Sequence, residues 1–142
     1  MSLNVAIQMD PIDSIDIAGD STFVLALEAQ RRGHSLYYYL PQALTYRDGK
    51  VTARSQPLTV RREEGNHFDV GASELLDLSK TDVVLMRQDP PFDRSYFYVT
   101  LLLDQLPAQV QIINRPVTVR NWNEKLAALR YPDFTPKTLV SR

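Results

Sequence analysis

Apolar and polar positions along this chain alternate between two periods, and the changes of period mark its elements. Leu3 to Met9 reads Leu, Asn, Val, Ala, Ile, Gln, Met, a short and mostly apolar run that predicts a buried strand, ended by Asp10-Pro11. Ile12 to Gly19 is a loop. Thr22 to Arg32 then follows a helical period, with Phe23, Leu27 and Gln30 on one side and Val24, Ala26 and Ala29 beside them. Asp20 or Ser21 supplies an N-cap, Arg31 and Arg32 fall in the last turn, and Gly33 stands where a helix C-terminus favours glycine. Ser35 to Leu40 returns to a strand-like run containing Tyr37, Tyr38 and Tyr39. Strand, helix and strand in close succession predict a parallel pair with a right-handed crossover.

The pattern then shortens. Leu44 to Arg47 and Lys50 to Arg54 flank Asp48-Gly49, a hairpin signal. Leu58, Val60 and Arg62 alternate with polar neighbours and predict a further antiparallel strand. Glu63-Glu64-Gly65-Asn66 is a turn, Phe68 and Val70 alternate again, and Gly71 closes this excursion at the sheet edge. Glu74 to Leu78 reads as a helical turn. Val83, Val84, Leu85 and Met86 are apolar in succession, two of them β-branched, as in a strand covered on both faces. Tyr96 to Leu106 predicts a helix apolar almost all round, hence one buried in the core or against another subunit. Gln111 to Asn114 is a short strand ended by Arg115-Pro116. Asn123 caps a helix expected over Glu124 to Arg130, and Thr138 to Ser141 opens a strand that breaks off at Arg142, which reads as truncation.

Polarity arrives abruptly after the central strand, as Arg87, Gln88, Asp89, Pro90, Pro91, Phe92 and Asp93. Neither proline can donate to a sheet, and each holds its predecessor extended. The segment therefore leaves the C-terminal edge of the sheet stiffly, carrying one cation and two carboxylates, and that edge is where open α/β sheets bind ligands. The plainer reading of Arg87 is a loop staple to Asp89 or Asp93. Asp10, Asp13 and Asp16 lack the glycine and terminal glutamate of a calcium loop. His34 reads as structural and His67 as a surface residue.

Composition narrows the classes. The chain has 142 residues, 44% apolar and 23% charged, with a formal net charge of −1, which suits one globular domain and gives no footprint for nucleic acid or a membrane surface. Cysteine is absent, so thiolate metal sites and disulfides are excluded. No apolar run is long enough to span a bilayer, and Met1 to Met9 has no basic n-region or cleavage site, so a cytoplasmic protein is expected. The glycines at 19, 33, 49, 65 and 71 are isolated, so no phosphate loop occurs, and no metal site is expected.

Met86-Arg87-Gln88-Asp89-Pro90-Pro91-Phe92-Asp93 resembles a signature of the N-terminal domain of bacterial glutathione synthetase, an ATP-grasp ligase family. Met9-Asp10-Pro11-Ile12, Gln30-Arg31-Arg32-Gly33, Asn114 and Asn123-Glu124-Lys125-Leu126 resemble it in the same order. Gln88 and Arg115 depart from it, standing where lysines are common. The resemblance implies an α/β, Rossmann-like, open and mainly parallel sheet flanked by helices, four strands with an antiparallel hairpin excursion: a pre-ATP-grasp domain over 1–120, with 121–142 starting the connection into an ATP-grasp domain. It implies a ligase that joins γ-glutamylcysteine and glycine with ATP and Mg2+, a homo-oligomer, with no nucleic acid or membrane partner. It places Arg87 on the dipeptide, Asp89 and Asp10 in orienting roles, and Lys125 on the nucleotide phosphates; from the residues alone Lys125 is a solvated helix lysine. These 142 residues by themselves are then expected to be inactive and to hold no cofactor. The residues leave open a non-catalytic, flavodoxin-like binding or regulatory module, although neither a phospho-acceptor pocket nor a flavin phosphate loop is evident.

Overall fold

The computed structural model describes residues 1–123 and 126–141. Its strands are β1 (Asn4–Gln8), β2 (Ser35–Tyr39), β3 (Leu44–Arg47), β4 (Lys50–Val60), β5 (Phe68–Val70), β6 (Glu74–Asp77), β7 (Val83–Met86) and β8 (Gln111–Ile113). The helices are α1 (Ser21–Arg31), α2 (Arg94–Leu103) and α3 (Pro116–Asn121). The strands form one curled, open, mixed sheet in the order β3-β4-β2-β1-β7-β8, with β5 and β6 also on β4.

The parallel half follows from two-faced burial. In β1, Val5 and Ile7 point to one side and Ala6 to the other, and all three are buried. β1 pairs in parallel with β2 and β7, and β7 with β8. α1 covers one face through Phe23 and Ala26, and α2 covers the other through Val99 and Leu103. Gly33 takes φ +80 after α1, a conformation that costs a residue with a Cβ.

The antiparallel half is larger than the pattern predicts, so the expectation of a mainly parallel sheet is met only by β2-β1-β7-β8. Lys50–Val60 is one strand of 11 residues, where two strands were expected. Val51, Ala53 and Ser55 are buried, then Leu58 and Val60, so the buried positions change parity midway. The strand does not break there. Its first half pairs with β3 and β6 and covers the α2 face, and its second half pairs with β2 and β5 and covers the α1 face. Pro57 sits at the change, opposite Tyr37, and its carbonyl accepts Gly71 N–H at 2.8 Å. A Cβ on Gly71 would lie 3.2 Å from the Pro57 ring, so glycine is what permits this approach. The Asp48-Gly49 hairpin forms as expected, with φ of 50 and 80.

Other expectations are corrected. Glu74–Asp77 is a strand, followed by a 3-10 turn at Leu78–Lys80 that Asp77 caps by accepting Ser79 N–H at 3.0 Å. Tyr96 to Leu106 becomes Arg94–Leu103, because Asp93 caps the helix by accepting Tyr96 N–H at 2.9 Å. α2 buries one stripe only; Phe97, Tyr98 and Leu101 are exposed because the sheet covers a single side. α3 was not anticipated: Pro116, read as a strand stop, is its first residue. Of the helix expected over Glu124 to Arg130, Glu124 and Lys125 lie outside the described residues and Ala127–Arg130 is a 3-10 turn. Thr138 to Ser141 is not a strand. His67 is buried rather than superficial, bonded through Nε2 to the Ile12 carbonyl at 2.7 Å and set edge-on to Phe23. His34 is structural as expected, its Nδ1 accepting Leu3 N–H at 3.3 Å.

Candidate functional site

The C-terminal ends of β1 and β7 lie side by side, with Gln8 opposite Met86. Arg87 extends the ladder one step by donating its N–H to the Gln8 carbonyl at 2.7 Å. Beyond that point the Gln8 side-chain Nε2 donates to the Gln88 side-chain Oε1, and both residues are buried. Asp10 Oδ2 accepts the Asp89 N–H at 2.6 Å. The two strand exits are thus tied together by side-chain bonds, which brings Arg87, Asp89 and Asp10 to one edge as the sequence suggested.

Arg87 does not staple the loop. Its Nε donates to Thr22 Oγ1 at 3.0 Å and its Nη2 to Ser21 Oγ at 2.6 Å, both in the first turn of α1. Among the described residues no carboxylate lies within ion-pair distance of it. Hydroxyls fix the direction of a guanidinium without neutralising it. The α1 N-terminus adds partial positive charge on the same side, partly answered by the Asp20 cap on Phe23 N–H at 2.6 Å. The result is a half-buried cation held in place with its charge unspent, suited to an anionic group in bidentate contact.

Tyr96 joins this cluster. Burial pushes its phenol above the ordinary range; the Arg87 charge pulls it back, while Asp10 and Asp89 push it further up. Its ring lies 5.0 Å from Phe92 and lines a cleft of about 460 Å³ with Pro91, Phe92, Asn114, Val119 and Trp122. The peptides at Pro90–Pro91 and Ile113–Asn114, beside the cleft, are cis. No charged side chain lines the cleft among the described residues. Nor do the described residues contain a cluster of three His, Cys, Asp or Glu able to hold a metal ion, or a helix long and apolar enough to cross a membrane.

Sequence reasoning missed Ser21 and Thr22 as partners of Arg87. Ser21 was read as an alternative N-cap to Asp20, which performs that task, and Thr22 as the first residue of the helix. Tyr96 was read as core because its aromatic neighbours are core-like. Lys125, placed on the nucleotide by resemblance, lies outside the described residues.

Comparison with known proteins identifies the family. Residues 3–120 match the family described as prokaryotic glutathione synthetase, N-terminal domain. The glutathione synthetase of Mesorhizobium japonicum is 46% identical over 142 residues, covering 100% of this chain and 45% of the relative. That of Bradyrhizobium diazoefficiens is 49% identical over 142 residues, again 100% of this chain and 45% of the relative. That of Yersinia pestis is 43% identical over 141 residues, 99% of this chain and 44% of the relative. The chain therefore belongs to the family of prokaryotic glutathione synthetase N-terminal domains, and it spans about 45% of the length of the curated relatives it matches.

Proposed function

We propose that this domain supplies the dipeptide-binding edge of a glutathione synthetase, the ligase that joins γ-glutamylcysteine to glycine at the expense of ATP. One observation carries the reading: Arg87 is oriented by two hydroxyls and carries no carboxylate partner among the described residues. A guanidinium so held receives a substrate carboxylate without first breaking an ion pair. Asp10 and Asp89 keep the strand exits together and orient the substrate, Asp10 through its bond to the Asp89 N–H. ATP and Mg2+ belong to the activity by family. The described residues offer neither a phosphate loop nor a metal cluster, so carboxylate activation is not assigned to them. Lys125 is assigned to the nucleotide by resemblance.

The finer organisation is of the same standing. Residues 1–120 form a pre-ATP-grasp domain of Rossmann-like kind, in which the parallel strands β2-β1-β7-β8 carry the site. Residues 121–142 lead toward an ATP-grasp body in a cytoplasmic enzyme acting on small molecules. The exposed Phe97, Tyr98 and Leu101 of α2 suit a homo-oligomer contact, which sedimentation of the Leu101→Glu variant tests.

The test of Arg87 uses a polypeptide of the relatives' full length that contains this chain. A hydrogen bond to a charged group contributes about 1.5–3 kcal/mol, so Arg87→Ala should weaken γ-glutamylcysteine about ten- to a hundred-fold with ATP affinity and melting temperature held. Arg87→Lys should recover only part, because an ammonium lacks the paired fork. Equal losses for dipeptide and ATP in a destabilised protein would make Arg87 a structural residue.

A further inference from the structure

The cleft beside Arg87 has chemistry that differs from the charged edge. Phe92, Tyr96 and Trp122 present aromatic rings, Pro91 and Val119 add apolar surface, and Asn114 places an amide at the rim. The described residues that line it are uncharged, which suits an uncharged part of a ligand. The chain connects the two regions: Pro90 and Pro91, which line the cleft with Tyr96, directly follow Asp89, and Asp89 is tied to Asp10 at the edge that carries Arg87. A ligand anchored on Arg87 by a carboxylate therefore extends past Tyr96 into uncharged, aromatic surroundings.

We propose that this cleft is the subsite for the thiol side chain of the dipeptide, with the Phe92 and Tyr96 rings against the CH2–SH group and Asn114 on the adjoining peptide amide. The inference rests on the proposed binding of γ-glutamylcysteine at Arg87. Thioether and thiol sulfur make favourable contacts with aromatic ring edges, and a secondary amide matches an asparagine side chain donor for acceptor. The Phe92 ring, 5.0 Å from that of Tyr96, is partly exposed, so it is available to a ligand and its removal leaves the core untouched.

Titration calorimetry on the relative-length protein containing this chain separates this inference from its premise. The ligands are γ-glutamylcysteine and γ-glutamylglycine, which share both charged ends and the amide and differ only in the side chain. Intact protein should bind the cysteinyl peptide about ten-fold or more tightly than the glycyl one, the usual discrimination of an apolar pocket for a small group. Phe92→Ala should remove most of that preference by weakening the cysteinyl peptide alone, and Phe92→Leu should restore part of it. Equal affinity for the two peptides, or a preference that Phe92→Ala leaves unchanged, would overturn the subsite while leaving Arg87 as the anchor. Failure of both peptides to bind would overturn the anchor and the subsite together.

Discussion

Residues 3–116 and residues 117–141 carry similar apolar side chains and treat them in opposite ways. In the first region β1, β7 and the second half of β4 bury theirs, and Ala6, Ile7, Val84 and Leu103 are wholly inaccessible. In the second no described residue is buried: Trp122, Leu126, Leu129, Tyr131, Phe134, Leu139 and Val140 are all exposed, Phe134 at 88% and Leu139 at 90%. The difference lies in partners. A strand offers two faces to layers already present, and α1 and α2 supply those layers. Near its start the later segment still meets the packed layers, with Val119 against the core and Arg120 bonded to Asp104; farther on its bonds are local, such as Tyr131 N–H to the Ala128 carbonyl at 2.9 Å and Arg130 over the Trp122 ring at 4.7 Å. Apolar character sets what a segment would bury; a second surface decides whether it does.

The largest effect should come from the covered face. Phe23 is 1% exposed and packs against His67. Phe23→Ala should destabilise the chain by about 3–5 kcal/mol in urea unfolding, from lost transfer energy and a residual cavity. A cost below about 1 kcal/mol would show that the α1 face is loosely packed and blur the distinction between the two regions.

A smaller effect sits at the start of the same helix. Asp20 accepts the Phe23 N–H at 2.6 Å, so Asp20→Ala should cost about 1 kcal/mol and Asp20→Asn much less. Since the α1 first turn also holds Arg87, the alanine variant should weaken dipeptide binding with it. Unchanged stability would mean that α1 is fixed by its packing alone.

The sequence made the well-packed region legible and the other one not, for the same reason. The βαβ unit, the central strand and the Asp48-Gly49 hairpin follow from period and turn chemistry, which are local. The long β4 was read as two strands because its buried parity changes at Pro57; parity reports which face is covered, not where a strand ends. Glu74–Asp77 is too short for its period to decide between helix and strand. α3 was missed because Pro116 was taken only as the stop of the strand before it, although a proline at the first position also signals a helix. At the candidate site, Arg87 and Asp89 stood out in one segment and Asp10 in a separate one. Ser21 and Thr22 did not, because they are brought to Arg87 by the packing of α1 against β2 and β4, which no local pattern records.

A third effect separates surface charge from packing. Glu28 is bound by Arg31 and then Arg32, which hold its carboxyl down to about 2 against 4.5 ordinarily. A carboxyl depressed on folding stabilises above its unfolded value and loses that contribution as pH falls from about 4.5 through about 2. Glu28→Gln should therefore flatten the fall in urea midpoint over that window, by lowering the midpoint slightly at neutral pH and leaving it nearly unchanged at the acid end. The difference should shrink in high salt, because the group is exposed. An equally steep acid limb in the variant would assign it to other carboxylates.

The smallest effect is the one on which the comparison turns. Phe134 makes no core contact, so Phe134→Ser in the 142-residue chain should shift stability by no more than about 0.5 kcal/mol, the usual range for an exposed position. Leu139→Ser should do the same. The relatives are more than twice as long as the part this chain matches, and the proposed domain division has residues 121–142 lead into the remainder. In a protein of that length a second surface is available, and burying a side chain of this size contributes about 1.5–3 kcal/mol. The same Phe134→Ser substitution should then lower the melting temperature clearly. One variant measured in both lengths tests whether absence of a partner is what leaves this segment uncovered. A loss above about 1 kcal/mol already in the 142-residue chain would place Phe134 in its own core, against its exposure. No loss in the longer protein would remove residues 121–142 from the interface and with it the physical basis for that division.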